Sequence, residues 1–197
     1  MRTLPRSFYL RPTVRVARDL LGKYIVRVLR GRKLTGKIVE AEAYCEGDRA
    51  SHSYRGRTKR NDVMFWEGGH LYVYFTYGMH FCANVVTRKA GRGEAVLIRA
   101  VEPIGGVDVM LKNRSGRNRR IARQSLSNLT NGPAKFCEAF RITREQNGID
   151  LLGNQIYILN GVRIPESKVG RSARIGVNNG RERRWRFFVK GTAWVSR

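Results

Sequence analysis

The sequence has little cysteine and histidine, and neither residue type is spaced as a metal site requires. The three cysteines are an odd number and include no CxxC pair, which argues against both a disulfide framework and a zinc site. The three histidines have no metal-like spacing with cysteine or acidic residues. We therefore expect a reducing, intracellular compartment and no metal or other cofactor.

A long apolar run is missing as well. The chain contains no stretch of about 18 consecutive apolar residues, no signal-peptide pattern and no cleanly basic amphipathic helix, which argues against a membrane as its partner. With 197 residues, 42% hydrophobic and 10% aromatic, it is long enough and apolar enough for one folded domain. We expect a single domain spanning residues 1–197, and a monomer.

Acidic residues are few compared with basic ones. Asp and Glu number 15 against 39 Lys and Arg, so the formal net charge is +24. Such a surface attracts polyanions. Nucleic acid is favoured because arginine forks match phosphate oxygens and each neutralised phosphate releases counterions. The charge therefore predicts a nucleic-acid-binding protein.

Hydrophobic periodicity predicts a mixture of strands and helices. A short helix is expected to start at a capping Thr13 and to end before Gly22, and further helices are expected from Val107 and from Pro133. The basic residues of segment 112–123 are expected on a loop or helix edge that faces phosphate or solvent, and segment 55–61 on a surface loop. The expected strands are residues 24–29, 34–44, 71–76, 81–86, 95–101, 155–159, 173–177 and 185–189.

The segment GKIVEAEAY, residues 36–44, has the strand pattern with the most chemical content. Side chains alternate along a strand, so Glu40, Glu42 and Tyr44 share one face and the intervening valine and alanines share the other. Two interpretations are open. The face is either an exposed edge on which the carboxylates pair with arginines, or the floor of a cleft in which a carboxylate lies beside an aromatic wall.

The segment LYVYFTYGMHFCANVV, residues 71–86, predicts a hairpin with an unusual tip. Tyr72 and Tyr74 alternate with apolar residues and so leave the core face, while Tyr77 falls at the turn, where a large aromatic has little to pack on. Aromatic residues on strands are usually core, but this tip suits a wedge that enters the base stack when a nucleotide is flipped out. The loop residue His52 is either solvated or part of the same site.

Several segments, in order along the chain, carry a resemblance to a known family. They are GKIVEAEAY, SHS, LYVYFTYGMHFCANV, AVLIRAVEP, LTNGPAK, ARIGV and FFVKGTAWVS. Together, and with gaps from about Leu20 to the C-terminus, the chain resembles the alkyladenine (3-methyladenine) DNA glycosylase family. The resemblance implies a single α+β domain, in which helices surround a curved, mostly antiparallel sheet with a protruding β-hairpin. It also implies a monofunctional glycosylase of base excision repair that acts on double-stranded DNA.

The resemblance implies roles for individual residues. Glu42 matches the general base that activates a water, and Arg99 matches the residue that helps to hold this water. Asn84 matches the side chain that excludes normal guanine, and Tyr77 the residue that intercalates. The other matches are the base-pocket residues Tyr44, His52, Tyr74 and the backbone of Ile175, and the DNA-contacting residues Arg57, Thr58, Arg60 and Met79, with His80 in place of a more usual tyrosine.

The expected reaction is hydrolysis of the N-glycosidic bond of 3-methyladenine, 7-methylguanine, hypoxanthine or ethenoadenine. No lysine occupies a plausible nucleophile position next to Glu42, so we expect water as the nucleophile and no strand cleavage.

Trp66 stands where a smaller residue is expected, so the approach to the pocket should differ. The main alternative is a non-catalytic nucleic-acid-binding protein in which Arg99 is only a structural partner of Glu42. A glycosidase for free nucleosides does not account for the charge.

Overall fold

The protein is built around an antiparallel sheet. Its structure is a computed structural model that describes residues 1–115 and 126–196. Its eight strands include the path β3-β4-β5-β2-β1-β6, and β8 pairs with both β2 and β7. Every pairing is antiparallel. The strands are β1 (Tyr24–Leu29), β2 (Arg32–Tyr44), β3 (Leu71–Thr76), β4 (His80–Val86), β5 (Ala95–Gly105), β6 (Ile156–Leu159), β7 (Val169–Ser172) and β8 (Arg186–Val189).

Four short α-helices and four 3-10 segments complete the described secondary structure. Helices α2 and α4 pack on the central strands β2, β4 and β5 and bury their apolar residues in the main core. No helix in residues 1–115 or 126–196 is long and apolar enough to cross a membrane. The helices are α1 (Arg6–Tyr9), α2 (Thr13–Asp19), α3 (Val107–Ser115) and α4 (Pro133–Ala139), and the 3-10 segments are Asp62–Phe65, Leu126–Asn128, Arg144–Gln146 and Glu166–Lys168.

A β-bulge between β2 and β5 decides which side chains face away from the main core. The register shifts between Ile38 and Ala41, and it leaves Val39 on β2 and Arg99 on β5 unmatched. Ile38 and Ala41 nevertheless both face the main core, so the bulge reverses the alternation and directs Glu42 to the opposite face. Bulges commonly re-aim side chains next to functional sites.

Two hairpins turn through consecutive residues with left-handed backbone. Arg30 (φ 49°) and Gly31 (φ 76°) connect β1 to β2, and Tyr77 (φ 51°) and Gly78 (φ 68°) follow β3. Two positive φ angles are typical of the type I′ turn, whose twist matches that of the flanking strands. Because a non-glycine residue rarely adopts this conformation, the turn holds the Tyr77 backbone in an uncommon, defined geometry.

The predicted α+β class and the curled, antiparallel sheet are confirmed, as are most strands, but three local predictions are wrong. Thr13 is the first residue of α2 and makes no capping hydrogen bond; its hydroxyl instead contacts Thr87 and Glu94 inside the protein. Residues 173–177 form no strand, because the chain pairs with β8 four residues earlier, as β7. Asn61, predicted on a surface loop, is buried and holds that loop together.

The predicted basic segment 112–123 is only partly described. Lys112 is exposed on helix α3, and Arg114 pairs with Glu138 of α4. The remaining arginines of that prediction, at positions 117, 119, 120 and 123, lie outside the described residues.

Candidate active site and DNA-facing surface

A cavity of about 410 Å³ opens on the face of the sheet opposite the main core. This is the size range of pockets that bind small molecules, and four tyrosines and a histidine form part of its walls. No lysine is among the described residues that line it. The lining includes Tyr44, His52, Met64, Tyr72, Tyr74, Tyr77, Cys82, Asn84, Leu97, Arg99 and Ile175.

Glu42 lies fully buried directly behind three of these lining residues. Its Oε1 accepts the backbone N–H of Ile175 at 2.8 Å. Its Oε2 accepts Nη1 of Arg99 at 3.3 Å and the hydroxyl of Tyr44 at 3.0 Å. The predicted alternative of an exposed edge is therefore wrong for this strand, although its carboxylates do pair with arginine.

Burial is the dominant influence on the charge state of Glu42. It raises the pKa of that carboxyl above the ordinary value, while the Arg99 guanidinium, the Ile175 N–H and the Tyr44 hydroxyl oppose the rise. Burial and the adjacent carboxylate also raise the pKa of the Tyr44 phenol, which therefore stays a hydrogen-bond donor. A buried carboxyl with a raised pKa directly behind a cavity is the arrangement expected of a general base.

Glu40, on the same face of β2, fixes the guanidinium of Arg99. Its Oε1 accepts Nε of Arg99 at 3.1 Å, Nε of Arg186 at 2.6 Å and the hydroxyl of Ser196 at 2.8 Å. Its Oε2 accepts the Ser196 N–H at 2.6 Å. Two buried carboxylates and two guanidiniums thus balance each other's charge. The alternation of side chains along the strand predicted that Glu40 and Glu42 share a face. Nothing in the sequence indicated the contacts of Glu40 with Arg186 and Ser196.

His52 and Tyr74 form one wall of the cavity together. Their ring centroids lie 4.4 Å apart in an edge-to-face arrangement, and Nδ1 of His52 is 3.0 Å from the hydroxyl of Tyr72. Burial, and next the charge of Arg60, lower the pKa of His52, so its imidazole is neutral at neutral pH. Tyr72 points away from the main core, as predicted. It is nevertheless fully buried, because the segment Asp62–Phe65 covers it.

Asn84 lies on β4 opposite Tyr72, with its side chain buried at the cavity. Its Nδ2 donates to the Tyr72 carbonyl at 3.1 Å. This bond fixes the orientation of the amide, so the side chain presents a rigid polar group to whatever enters the cavity.

The tip of the β3–β4 hairpin is apolar and exposed next to the cavity mouth. Tyr77 is 83% exposed and Met79 is 70% exposed, and Phe75 on the adjoining strand is 42% exposed. His80 begins β4 and is also exposed. Exposed apolar side chains clustered in this way mark interaction surfaces, and the predicted protruding hairpin is present.

The basic loop beside the hairpin contains the other residues predicted to contact DNA. Arg57 pairs with Asp62 at 2.6 Å. Thr58 bonds to Asn61 through its N–H and its hydroxyl, and Arg60 donates to the Phe75 carbonyl at 3.4 Å. All three residues are exposed, and the bond from Arg60 to Phe75 joins their loop to strand β3 of the hairpin.

Trp66 does not line the cavity. Its Nε1 donates to Asp62 at 2.8 Å and its ring packs edge-on against His70 at 5.4 Å. The expectation that this residue alters the approach to the pocket is therefore not supported by a direct contact.

Comparison with known proteins gives the family of this chain. The family described as methylpurine-DNA glycosylase matches residues 7–193. The chain belongs to the methylpurine-DNA glycosylase family. It is thus a DNA glycosylase for alkylated bases, as the resemblance predicted, and its partner is DNA.

Relatives of nearly equal length carry matching provisional names. Proteins provisionally named 3-methyladenine DNA glycosylase are 49% identical in Carboxydothermus hydrogenoformans, over 98% of each chain, and 46% identical in Clostridium novyi, over 100% of each. One from Chlorobium phaeovibrioides is 45% identical over 100% of this chain and 97% of that protein. The roles of single residues, the monomeric state and the compartment stay predictions.

Proposed function

We propose that this methylpurine-DNA glycosylase flips alkylated or deaminated purines out of duplex DNA and hydrolyses their N-glycosidic bond with a water activated by Glu42. One observation carries the proposal: a buried carboxylate with a raised pKa lies at the base of an aromatic cavity whose mouth adjoins an exposed apolar hairpin tip. The substrates proposed are 3-methyladenine, 7-methylguanine, hypoxanthine and ethenoadenine, released by a single protein molecule acting as a monomer.

The hydrogen bonds of Glu42 leave one acceptor position of its carboxylate for a water. An ionised carboxylate has about four acceptor positions, and three are occupied by Ile175, Arg99 and Tyr44. A water at the fourth would transfer a proton to Glu42 as its oxygen bonds to the anomeric carbon. The bond from that carbon to the base breaks, and its electron pair leaves with the base. Glu42 also stabilises the positive charge that develops on the sugar.

The cavity walls suit a flipped purine, and a cationic one in particular. Tyr44, His52 and Tyr74 all line the cavity with aromatic rings, and a cation over such a ring gains on the order of 0.5–2 kcal/mol. A neutral His52 adds no repulsion against 3-methyladenine or 7-methylguanine. Hypoxanthine and ethenoadenine carry no charge, so their recognition would depend on shape and hydrogen bonds.

Asn84 is proposed to exclude undamaged guanine. Because its amide is tied to the Tyr72 carbonyl, it cannot move aside for the exocyclic amino group of guanine without losing a buried hydrogen bond. Asn84→Ser is therefore expected to raise release of guanine from undamaged duplex DNA. Chromatography of the supernatant measures this release, and a background rate equal to that of the wild type would reject the role.

Tyr77 is proposed to occupy the space that the flipped nucleotide leaves. Tyr77→Ala is expected to weaken binding to an ethenoadenine duplex about tenfold, because stacking of an aromatic ring on a base is worth about 1–3 kcal/mol. The thermal midpoint should not change, since the side chain is 83% exposed. Fluorescence anisotropy and a thermal melt measure the two quantities.

Val162→Ala is a matched control for the hairpin tip, because Val162 is 73% exposed and does not line the cavity. It should bind the duplex as the wild type does. Unchanged binding by Tyr77→Ala, or a large fall in its thermal midpoint, would contradict the proposed wedge.

Release of free base from defined duplexes tests the function as a whole. Wild-type protein is incubated with duplexes that carry each of the four lesions, at low and at high salt. We expect release of base without strand cleavage. When protein is limiting, the rate of release should be lower at high salt, because contacts with the DNA phosphates weaken. Tight binding without release from any of the four duplexes would identify a binding protein instead.

A further inference from the structure

A buried ion pair lies behind the cavity, outside the groups that hold Glu42. The side chains of Asp48 and Arg174 are both 0% exposed, and the residues are 126 positions apart in the chain. Both carboxylate oxygens of Asp48 accept hydrogen bonds from Arg174. Neither residue lines the cavity. Burying two charges is costly, so the other contacts of the pair indicate what it holds in place.

Arg174 supports the Tyr44 wall from the side away from the cavity. Its guanidinium carbon lies 4.7 Å from the centroid of the Tyr44 ring and 5.4 Å from that of Trp185. Its Nη1 also donates to the carbonyl of Ala43 at 3.0 Å, between Glu42 and Tyr44 in the chain. A planar guanidinium that stacks and donates in this way restrains both the ring and the end of β2.

The same residue restrains its neighbour Ile175. The Ile175 N–H is one of the three donors to Glu42, and its carbonyl lies 3.5 Å from Nη1 of Arg99. Residues 173–177 belong to no strand, so no sheet ladder fixes them. The side chain of Arg174 supplies the anchoring that a ladder would otherwise give.

Asp48 connects the His52 loop to the same anchor. Its Oδ1 accepts the N–H of Ala50 at 3.1 Å, two residues before His52. One ion pair therefore touches the Tyr44 wall, the start of the His52 loop and the segment that holds Glu42.

We propose that Asp48 and Arg174 are a positioning pair, which sets the separation of the Tyr44 ring from the His52 wall and aligns Ile175 with Glu42. This inference rests on the proposed function, because it assigns the pair no contact with the base or the water. Its effect is exerted through Tyr44 and Ile175, so it should alter the chemical step more than the fold.

The double variant Asp48→Leu/Arg174→Met tests the pair without leaving a buried charge unpaired. We expect a thermal midpoint close to that of the wild type and a single-turnover rate of ethenoadenine release about 100-fold lower, since a displacement of about 1 Å can cost that much. The acid limb of the pH–rate profile should move to higher pH, because a displaced Ile175 N–H no longer stabilises the carboxylate of Glu42. Arg174→Lys, which keeps the charge but loses the planar fork, should show a smaller loss.

A matched control replaces an ion pair between two strands, neither member of which lines the cavity. Lys37→Met/Glu102→Leu removes a half-buried pair between β2 and β5 and should release base at the wild-type rate. The proposal would be overturned if the double variant and Arg174→Lys both fold and show wild-type rates and pH profiles. It would also be overturned if neither variant folds, because the pair would then be required for stability. A wild type that releases no base would overturn the proposed function first, and this proposal with it.

Discussion

A Glu42→Gln variant is expected to release base from every lesion duplex at least about 1,000-fold more slowly than the wild type, while binding those duplexes with similar affinity. General-base catalysis contributes about 10²–10⁴-fold, and glutamine also removes the negative charge opposite the developing positive charge on the sugar. Glutamine keeps the size of the side chain, so the walls of the cavity should not move. Single-turnover release and anisotropy measure the two quantities.

Glu94→Gln is the matched control for this loss. Glu94 is also a buried glutamate, 6% exposed, but it bonds to Thr13 and Arg92, which do not line the cavity. It should retain the wild-type rate of base release. Substantial turnover by Glu42→Gln would remove the proposed mechanism, whatever the affinity of the variant for DNA.

The second large effect is expected from Arg99→Met, and it should appear in stability as well as in rate. Arg99 contacts both buried carboxylates, Glu40 at 3.1 Å and Glu42 at 3.3 Å. Removing one partner of a buried ion pair typically costs about 3–5 kcal/mol of unfolding free energy. For a domain of this size, that lowers the thermal midpoint by roughly 6–20 °C.

The rate of Arg99→Met should also fall, because the guanidinium that opposes the raised pKa of Glu42 is gone. A larger fraction of that carboxyl is then protonated at neutral pH and unable to accept a proton from water. Arg32→Met is the control for stability: its pair with Asp108 is exposed to solvent, so its loss should leave the thermal midpoint unchanged. A thermal midpoint of Arg99→Met equal to that of the wild type would contradict the expectation.

The pH dependence of the wild type follows from the same carboxylate. A general base acts only when deprotonated, and burial raises the pKa of Glu42. The value of kcat/KM should therefore decline as the pH falls through this raised pKa, at higher pH than for an ordinary glutamate. His52, whose pKa is lowered, also titrates in acid. If the acid limb of the pH–rate profile persists in His52→Phe, it reports the titration of Glu42. If the limb disappears, it reports the titration of His52.

Local patterns in the chain were sufficient for most of the strands, the hairpin tip and the partner class. Alternation over residues 36–44 placed Glu40, Glu42 and Tyr44 on one face, because strand periodicity is a property of neighbouring residues. Tyr77 followed by Gly78 marked the exposed tip for the same reason. The net charge of +24 indicated a polyanionic partner before any contact was known.

Contacts between distant parts of the chain were decided by the tertiary structure alone. The bulge that brings Arg99 to Glu40 depends on the register between β2 and β5, and the Asp48–Arg174 pair joins residues 126 positions apart. Segment 173–177 was predicted as a strand because its residues suit one, yet β8 pairs with the residues before it. The sequence by itself determined most of the elements and the charge, since these depend on composition and local period. The geometry of the site was decided by tertiary packing, because burial and strand register depend on contacts between residues that are far apart in the sequence.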